Sequence, residues 1–501
     1  MQALAFRVDA SEAAGTGHAM RCLALAQAWK DRGDEAAFLM AESLPAVDDR
    51  LMEDGIRVVK IAARPGTPED ARESADAARA IESRWIVLDG YRFDATYQEA
   101  MKSAGLSVLV IDDYGHAGRY TADIILNQNL HARPSMYRDR GPATRLLLGP
   151  RYALLRREFR SHRRAPRAPQ PQVKEILVTV GGVNRDEFTT ILLRGLGNID
   201  GRSFHVTIVP GMGRGSSEGL ETVAKGIPLR ASLAHDTRDM AELMAKSDLT
   251  LAGAGTTVWE LAYMGVPSLL VVLADNQRAV AASLDQHGAA RNMGPSETLT
   301  PDRIAEAVRS LMADPKTRAD MCRRARDLVD GAGVDRVLRE MSLPLLTLRP
   351  VQEDDAKRTW EWSNEPGTRA ASFSSDPILW EDHVRWFRAK LADPNCRFYV
   401  ASDHAGRPIG QIRFDVEGVD AEVSISLGAE FRGHGYGAAL IRSASQKLFD
   451  ESAVGRIHAY LKEANEASAR AFLDAGYVDR GFMEVRARKA RHFVLSMEAG
   501  P

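Results

Sequence analysis

Residues 4–21 read LAFRVDASEAAGTGHAMR. A short run that is apolar at nearly every position is the mark of a strand buried on both faces. Here it leads through small residues to Gly15-Thr16-Gly17-His18, and a helical pattern begins at Ala19. Strand, glycine turn and helix make the first βα unit of a parallel sheet. Glycines at such a turn let backbone N–H groups approach a ligand, and a helix start favours negative charge. The rhythm continues outward from this unit. Strands are expected at 36–40, 57–61, 85–88, 107–111 and 124–126, with helical stretches between them, including 19–32 and 68–82. A first Rossmann-like domain is therefore expected over 1–165.

The chain has 501 residues, which at about 150 residues per domain gives three domains. Lys+Arg is 66 and Asp+Glu is 68, for a net charge of −2, so a general nucleic-acid binder is excluded. The three cysteines (Cys22, Cys322, Cys396) are too far apart for a disulfide framework or a CxxC metal pair. A reducing, cytoplasmic setting is the expectation. Arg7 and Asp9 interrupt any signal-peptide core. The longest apolar run, 264–274, contains Pro267 and falls short of the roughly 20 residues that cross a membrane.

An arginine-rich segment at 151–167 and the stretch Ala168-Pro169-Gln170-Pro171-Gln172 interrupt the pattern. The prolines read as a linker, and the arginines as a solvated helix face and hinge. The βα rhythm then restarts, with strands expected at 175–180, 204–209, 249–252 and 268–273 and helices at 301–313 and 316–341. This second Rossmann-like domain is expected over 172–341. Two doubly wound domains joined by a hinge place a ligand cleft outside the carboxyl ends of their strands. A third, α+β domain is expected over 345–499, with a strand at 345–349, helices at 354–364 and 383–391, and a meander at 397–401, 408–416 and 421–427.

Several strand ends point at the first cleft. His18 on the glycine turn can take a proton from water near neutral pH. Asp9 follows the first strand, Asp89-Gly90-Tyr91 ends the fourth, and Asp112-Asp113 ends the fifth. In the second unit Gly181-Gly182 ends a strand, and Gly255-Thr256-Thr257 can present donors to a diphosphate at a helix start. Glu260, one turn on, can accept from ribose hydroxyls. No lysine-bearing P-loop is present.

These residues together resemble the GT-B-type UDP-sugar hydrolases of pseudaminic acid biosynthesis. The likeness is carried by Arg7-Val8-Asp9-Ala10-Ser11, Gly17-His18 with Arg21, Asp112-Asp113, Asn127-Gln128-Asn129, the segment 149–156, Gly255–Glu260 and Ala274-Asp275-Asn276-Gln277. It implies cleavage of UDP from UDP-2,4-diacetamido-2,4,6-trideoxy-β-L-altropyranose, without a metal and with inversion. His18 would activate the water, Tyr91 and Asn276 would orient sugar and water, and Arg21 and Gln277 would complete the UDP-sugar site.

In the third domain a strand ending Ser426-Leu427 precedes Phe431-Arg432-Gly433-His434-Gly435-Tyr436-Gly437-Ala438. Free N–H groups at a glycine-rich helix start make a pyrophosphate site. Arg432, Gly435 and Gly437 match the Arg/Gln-x-x-Gly-x-Gly/Ala signature, and Asn465-Glu466-Ala467-Ser468 with Phe472 and Gly476-Tyr477 fits the second half. The segment thus resembles the GCN5-related N-acetyltransferases (GNAT). The resemblance implies acetyl-CoA as co-substrate, held by Ser426, Leu427, Arg432, Gly433, Gly435, Tyr436, Gly437, Ala438, Asn465 and Phe472. Many members carry at the place of Phe472 a tyrosine that protonates the leaving thiolate, which phenylalanine cannot do. Glu422 is a candidate base acting through water. Trp360, Trp362, Trp380 and Trp386 lie on helices that form the acceptor pocket in that family. Within it, the stretch 362–387 resembles the enzymes that acetylate the 4-amino group of UDP-4-amino-4,6-dideoxy-N-acetyl-β-L-altrosamine, whose product is the hydrolase's substrate.

Overall fold

The computed structural model describes residues 3–11, 15–162, 170–180, 186–200, 203–210, 216–234, 240–403, 405–485 and 488–497. The chain first lays down β1 (Ala3–Val8), β2 (Glu35–Met40), β3 (Arg57–Lys60), β4 (Ser83–Asp89), β5 (Ser107–Ile111), the short β6 (Arg119–Tyr120), β7 (Ile124–Asn127), the short β8 (Asp139–Arg140) and β9 (Arg145–Leu148). Except for β6 and β8, which pair with each other, these strands form one sheet in the order β3-β2-β1-β4-β5-β7-β9, and every pairing in it is parallel. Every residue of β1 is buried, which accounts for its near-continuous apolar run. Arg7 is the exception in type, and its charge is met inside the domain by Asp70 at 2.8 Å and Asp9 at 2.8 Å.

The second sheet repeats the topology with β10 (Glu175–Thr179), β11 (His205–Val209), β12 (Arg230–Leu233), β13 (Leu249–Gly253), β14 (Ser268–Val272) and β15 (Arg291–Pro295), in the order β12-β11-β10-β13-β14-β15. Strand order reverses between β1 and β4 in one sheet and between β10 and β13 in the other. Crevices at such switch points are where doubly wound folds bind ligands. The expected helix 316–341 is broken: it runs Pro315–Leu328 and resumes as Gly333–Ser342. Gly331 between them has φ +85°, a left-handed turn that a helix interior does not tolerate. A Cβ there would lie 2.6 Å from the Tyr263 ring.

Residues Met1–Leu338 make one compact unit and Arg339–Pro501 another. The second unit holds β16 (Leu346–Pro350), β17 (Cys396–Asp403), β18 (Pro408–Glu417), β19 (Asp420–Leu427), β20 (Arg456–Leu461), β21 (Val478–Val485) and β22 (Arg488–Ser496), in the order β16-β17-β18-β19-β20-β22-β21. The sheet is mixed: β19 and β20 are parallel and the other neighbours antiparallel. Its residues alternate between two faces. Ala421, Val423, Ile457, Ala459 and Phe493 pack with Ala439, Leu440 and Ala444 of the helix Tyr436–Glu451. On the other face Phe398 and Val400 pack with Phe387, Trp362 and Trp386 of the helices Ala356–Asn364 and Trp380–Ala392. The fold class is thus the one expected from the sequence: two Rossmann-type units with parallel sheets, followed by a GNAT-like unit with a mixed sheet.

Candidate active site

A cleft of about 700 Å³ opens at the switch points of the first two sheets. Asp9, Gly17, His18, Arg21, Tyr91, Gly255, Thr256, Thr257, Glu260, Asn276 and Gln277 all line it. Gly181 and Gly182, expected beside the diphosphate, lie outside the described residues.

Two helix starts meet in this cleft. The helix Gly17–Lys30 begins after Thr16 and the helix Thr257–Met264 after Thr256, and neither threonine caps its helix with its side chain. First-turn N–H groups without a cap are donors that an anion can take up. The starts approach closely: a Cβ on Gly17 would lie 3.1 Å from Thr256 Oγ1. A side chain at residue 17 would therefore crowd Thr256.

Behind the first helix start is a network of charges. His18 Nδ1 lies 2.5 Å from Asp89 Oδ1. Arg21, one turn further along the same helix, donates from Nε to Asp89 Oδ2 at 2.7 Å and from Nη1 to Asp113 Oδ1 at 2.8 Å. Burial alone would raise the Asp89 carboxyl, but Arg21 and His18 outweigh it and hold it below the usual carboxylate range. The same contest, won by Arg21, holds Asp113 well below that range. An ionised carboxylate only accepts, so the proton of the His18 ring sits on Nδ1 and the lone pair on Nε2.

Tyr91 ties the two halves of the cleft together. Its hydroxyl donates to Asp113 Oδ2 at 2.8 Å and accepts from Asn276 Nδ2 at 2.8 Å. Burial and the Asp113 charge raise its pKa, so it remains a neutral phenol. The Tyr91 ring stands edge-on to His18, with centroids 5.2 Å apart. Gln277 Oε1 accepts from the Leu273 N–H at 3.0 Å, which holds the loop after β14 in place.

Some carboxylates serve other ends. Asp112 turns away from the cleft and accepts from the N–H groups of Tyr114 (2.7 Å) and Gly115 (2.6 Å) and from Tyr120. It shapes the loop, which corrects the expectation that both Asp112 and Asp113 face the ligand. Asp9 lines the cleft, yet its Oδ1 accepts from the Ala41 and Glu42 N–H groups at 2.8 and 3.0 Å. The arginine-rich segment expected to be solvated supplies a buried cleft residue instead. Arg156 is 7% exposed and pairs with Glu260 at 2.9 Å. Burial raises the Glu260 carboxyl and Arg156 opposes it. No spacing rule singles out Arg156, because its partner is 104 residues away. Among the described residues no cluster of three or more His, Cys, Asp or Glu could hold a metal ion, and no helix is long and apolar enough to cross a membrane.

In the second unit the glycine turn has the geometry a phosphate-binding loop needs. Gly433 and Gly435 have φ +77° and +81°, and Gly435 precedes the helix Tyr436–Glu451. A Cβ on Gly437 would stand 3.6 Å from Leu427 Cδ1, so the helix start lies beside the end of β19. Ala438 is buried one residue on. β19 is paired with β20 only as far as Glu422↔His458. Beyond this vertex the strands part, and Ser424, Ser426 and Leu427 border the opening. Arg432 is engaged by Glu365 at 2.5 Å, Thr368 Oγ1 at 2.8 Å and the Leu427 carbonyl at 3.0 Å. Its charge is thus met within the unit. Asn465 caps the helix Glu466–Asp474 by accepting from Ser468 N–H. Phe472 is 1% exposed in the core, 4.9 Å from the Tyr477 ring. Phe472 is thus held in the core of the unit.

Residues 175–332 match the glycosyltransferase family 28 C-terminal domain, and residues 346–478 match the acetyltransferase (GNAT) domain. The chain thus joins a family 28-like nucleotide-sugar domain to a GNAT domain. Along nearly its whole length it is similar to an uncharacterized protein of Methanocaldococcus jannaschii, 19% identical over 95% of this chain and 96% of that one. It is 26% identical to the spore coat polysaccharide biosynthesis protein SpsG of Bacillus subtilis over 39% of this chain and 57% of that one. The UDP-N-acetylglucosamine–N-acetylmuramyl-(pentapeptide) pyrophosphoryl-undecaprenol N-acetylglucosamine transferase of Hahella chejuensis is 31% identical over 26% of this chain and 38% of that one.

Proposed function

We propose that the chain is a bifunctional nucleotide-sugar enzyme of pseudaminic acid biosynthesis. The second unit transfers an acetyl group from acetyl-CoA to the 4-amino group of a UDP-4-amino-4,6-dideoxy sugar. The first unit hydrolyses the product, UDP-2,4-diacetamido-2,4,6-trideoxy-β-L-altropyranose, to free sugar and UDP. The observation that carries the hydrolytic half is the His18–Asp89 pair set across the cleft from the helix start at Thr257.

In this reading Nε2 of His18 takes a proton from water, and the oxygen attacks the anomeric carbon from the face opposite UDP. The anomeric C–O bond breaks with its electrons going to the diphosphate, and the configuration inverts. Asp89 holds the ring in its tautomer and offsets the charge that builds on it. The N–H groups after Thr256 and the Thr256 and Thr257 hydroxyls meet the negative charge on the leaving group. Asp9, Arg21, Gly181, Gly182, Glu260 and Gln277 complete the UDP-sugar site. The reaction as written needs no metal, and no nucleic acid or membrane partner.

The family 28 match favours a second reading, in which the first unit transfers the sugar to an acceptor other than water. Incubating the full chain with the 4-amino UDP-sugar and acetyl-CoA, and following CoA and UDP together, separates the two. Release of both from these two substrates alone supports the proposal. CoA release without UDP overturns the hydrolase. UDP release only from sugar that is already acetylated overturns the acetyltransferase.

A further inference from the structure

The face of the mixed sheet of the second unit turned from the helix Tyr436–Glu451 carries a chain of hydrogen bonds at the vertex of β19 and β20. His458 Nε2 lies 3.1 Å from Asp420 Oδ1, and His458 Nδ1 lies 3.0 Å from His492 Nε2. Arg456 donates to both oxygens of Asp420, at 2.7 and 2.9 Å. The rings of His458 and His492 are stacked with centroids 5.2 Å apart, and Tyr460 stacks on His492 at 4.9 Å.

The carboxylate sets the direction of this chain. Asp420 only accepts, so His458 carries its proton on Nε2 and accepts at Nδ1. His492 must then donate from Nε2, which leaves the lone pair of the cluster on its Nδ1.

The position suits a base. From Leu427, beside the glycine turn, back to Glu422 at the vertex is five residues, or about 16 Å of strand. That is the reach of an extended pantetheine arm. A coenzyme with its pyrophosphate at the turn would bring its thioester to the vertex, where Glu422 and His458 are cross-strand partners.

We propose that His492 is the base that takes the proton from the acceptor ammonium, with His458 and Asp420 as the residues that position it. This rests on the acetyltransferase reading above. The ammonium gives one proton to His492 Nδ1, and the free amine attacks the thioester carbonyl carbon. The tetrahedral adduct collapses with cleavage of the C–S bond. The thiolate takes the second N–H proton and leaves as CoA, and His492 returns its proton to water. Burial, His458 and Arg480 all disfavour the charged ring of His492 and so favour the neutral ring. The other ionisable groups about the cluster are Asp420 and Glu422 on β19 and Arg456 and Tyr460 on β20.

The test uses the full chain with acetyl-CoA and the UDP-linked 4-amino sugar, following CoA release across pH. His492→Gln is expected to lower kcat about 100-fold or more. It should leave the KM for acetyl-CoA unchanged and erase the acidic limb of the profile. His458→Gln is expected to cost about tenfold. A His492→Gln enzyme within about twofold of the parent, or one that loses acetyl-CoA binding along with kcat, overturns the assignment. Imidazole nitrogen NMR of the full chain reads the chain without any acceptor. Both His458 and His492 should carry the proton on Nε2, and Asp420→Asn should change this at His458. A proton on Nδ1 of either ring overturns the relay. If the parent enzyme releases no CoA with this sugar, the acceptor reading fails, and the tautomers alone decide the relay.

Discussion

Asp89 grips His18 with Oδ1, at 2.5 Å to Nδ1, and Arg21 with both oxygens, at 2.7 Å to Nε and 2.7 Å to Nη2. The two partners lie one helical turn apart on a helix that starts in the cleft. One carboxylate therefore orients the ring while its charge is met by a guanidinium beside it. His18→Gln removes the base and leaves the Arg21–Asp89 pair. It should lower UDP release by about 100-fold or more and leave CoA release and Tm close to the parent. UDP release above a tenth of the parent rate would show that another group activates the water.

Asp89→Asn should fail in a different way. It removes the acceptor that fixes the His18 tautomer and also breaks a buried ion pair. UDP release should fall at least as far as in His18→Gln. Stability should also fall, by about 3–5 kcal/mol, because Arg21 is left short of a partner. Thermal melts of the two variants side by side check this: equal Tm values would contradict the pairing role of Asp89.

The Tyr91 hydroxyl joins Asp113 in one half of the cleft to Asn276 in the other. Tyr91→Phe and Asn276→Ala should each lower kcat/KM for UDP release by about tenfold, the value of one lost hydrogen bond. The double variant should lose less than the product of the two, with a coupling of about 1 kcal/mol. Strict additivity would mean that the two side chains act apart.

The carboxyls of Asp89 and Asp113 are held below their unfolded values by Arg21. A depressed acid contributes stability that is present above its unfolded pKa, about 3.9, and is lost as pH falls through the lower folded value. Denaturant melts should show the first unit nearly flat from neutral pH to about pH 5 and then weakening with acid. Asp113→Asn should lower the plateau and shrink the acid dependence. An unchanged acid slope in that variant would count against the ion pair.

Gly435 sits at φ +81° before the helix Tyr436–Glu451. Gly435→Ala should cost about 1–2 kcal/mol of strain and raise the KM for acetyl-CoA, with UDP release from acetylated sugar unchanged. Isothermal titration with acetyl-CoA reads the loss directly, and parent-like affinity would remove this turn from the coenzyme site.

Strands buried on both faces were legible because their sequences are apolar almost throughout, as β1, β5 and β14 are. β9, β12 and β15 escaped: each lies at a sheet edge and is only partly buried, with polar residues interrupting β12 and β15 and only three apolar residues in β9. Glycine turns and the residues on them were readable, since backbone geometry demands those types locally. Partnerships were not. Asp89 is 68 residues from Arg21, Asp113 is 92 from it, and His458 is 34 from His492. Each looks like an ordinary capping or surface residue until the sheets bring it to its partner. Phe472 shows the converse, where a motif position matched in sequence is taken up by the core.

The narrow gap between Gly17 and Thr256 brings two like poles face to face. Each helix start carries about half a positive charge, and neither is quenched by its own threonine. The Tyr91–Asn276 hydrogen bond holds the halves together against this like charge, and an anion bound beside both starts would offset it. A dianionic diphosphate would act as an electrostatic clasp, and an uncharged sugar freed from it would have no such hold. Affinity for a ligand in the cleft should then track the ligand's charge and weaken as salt is added.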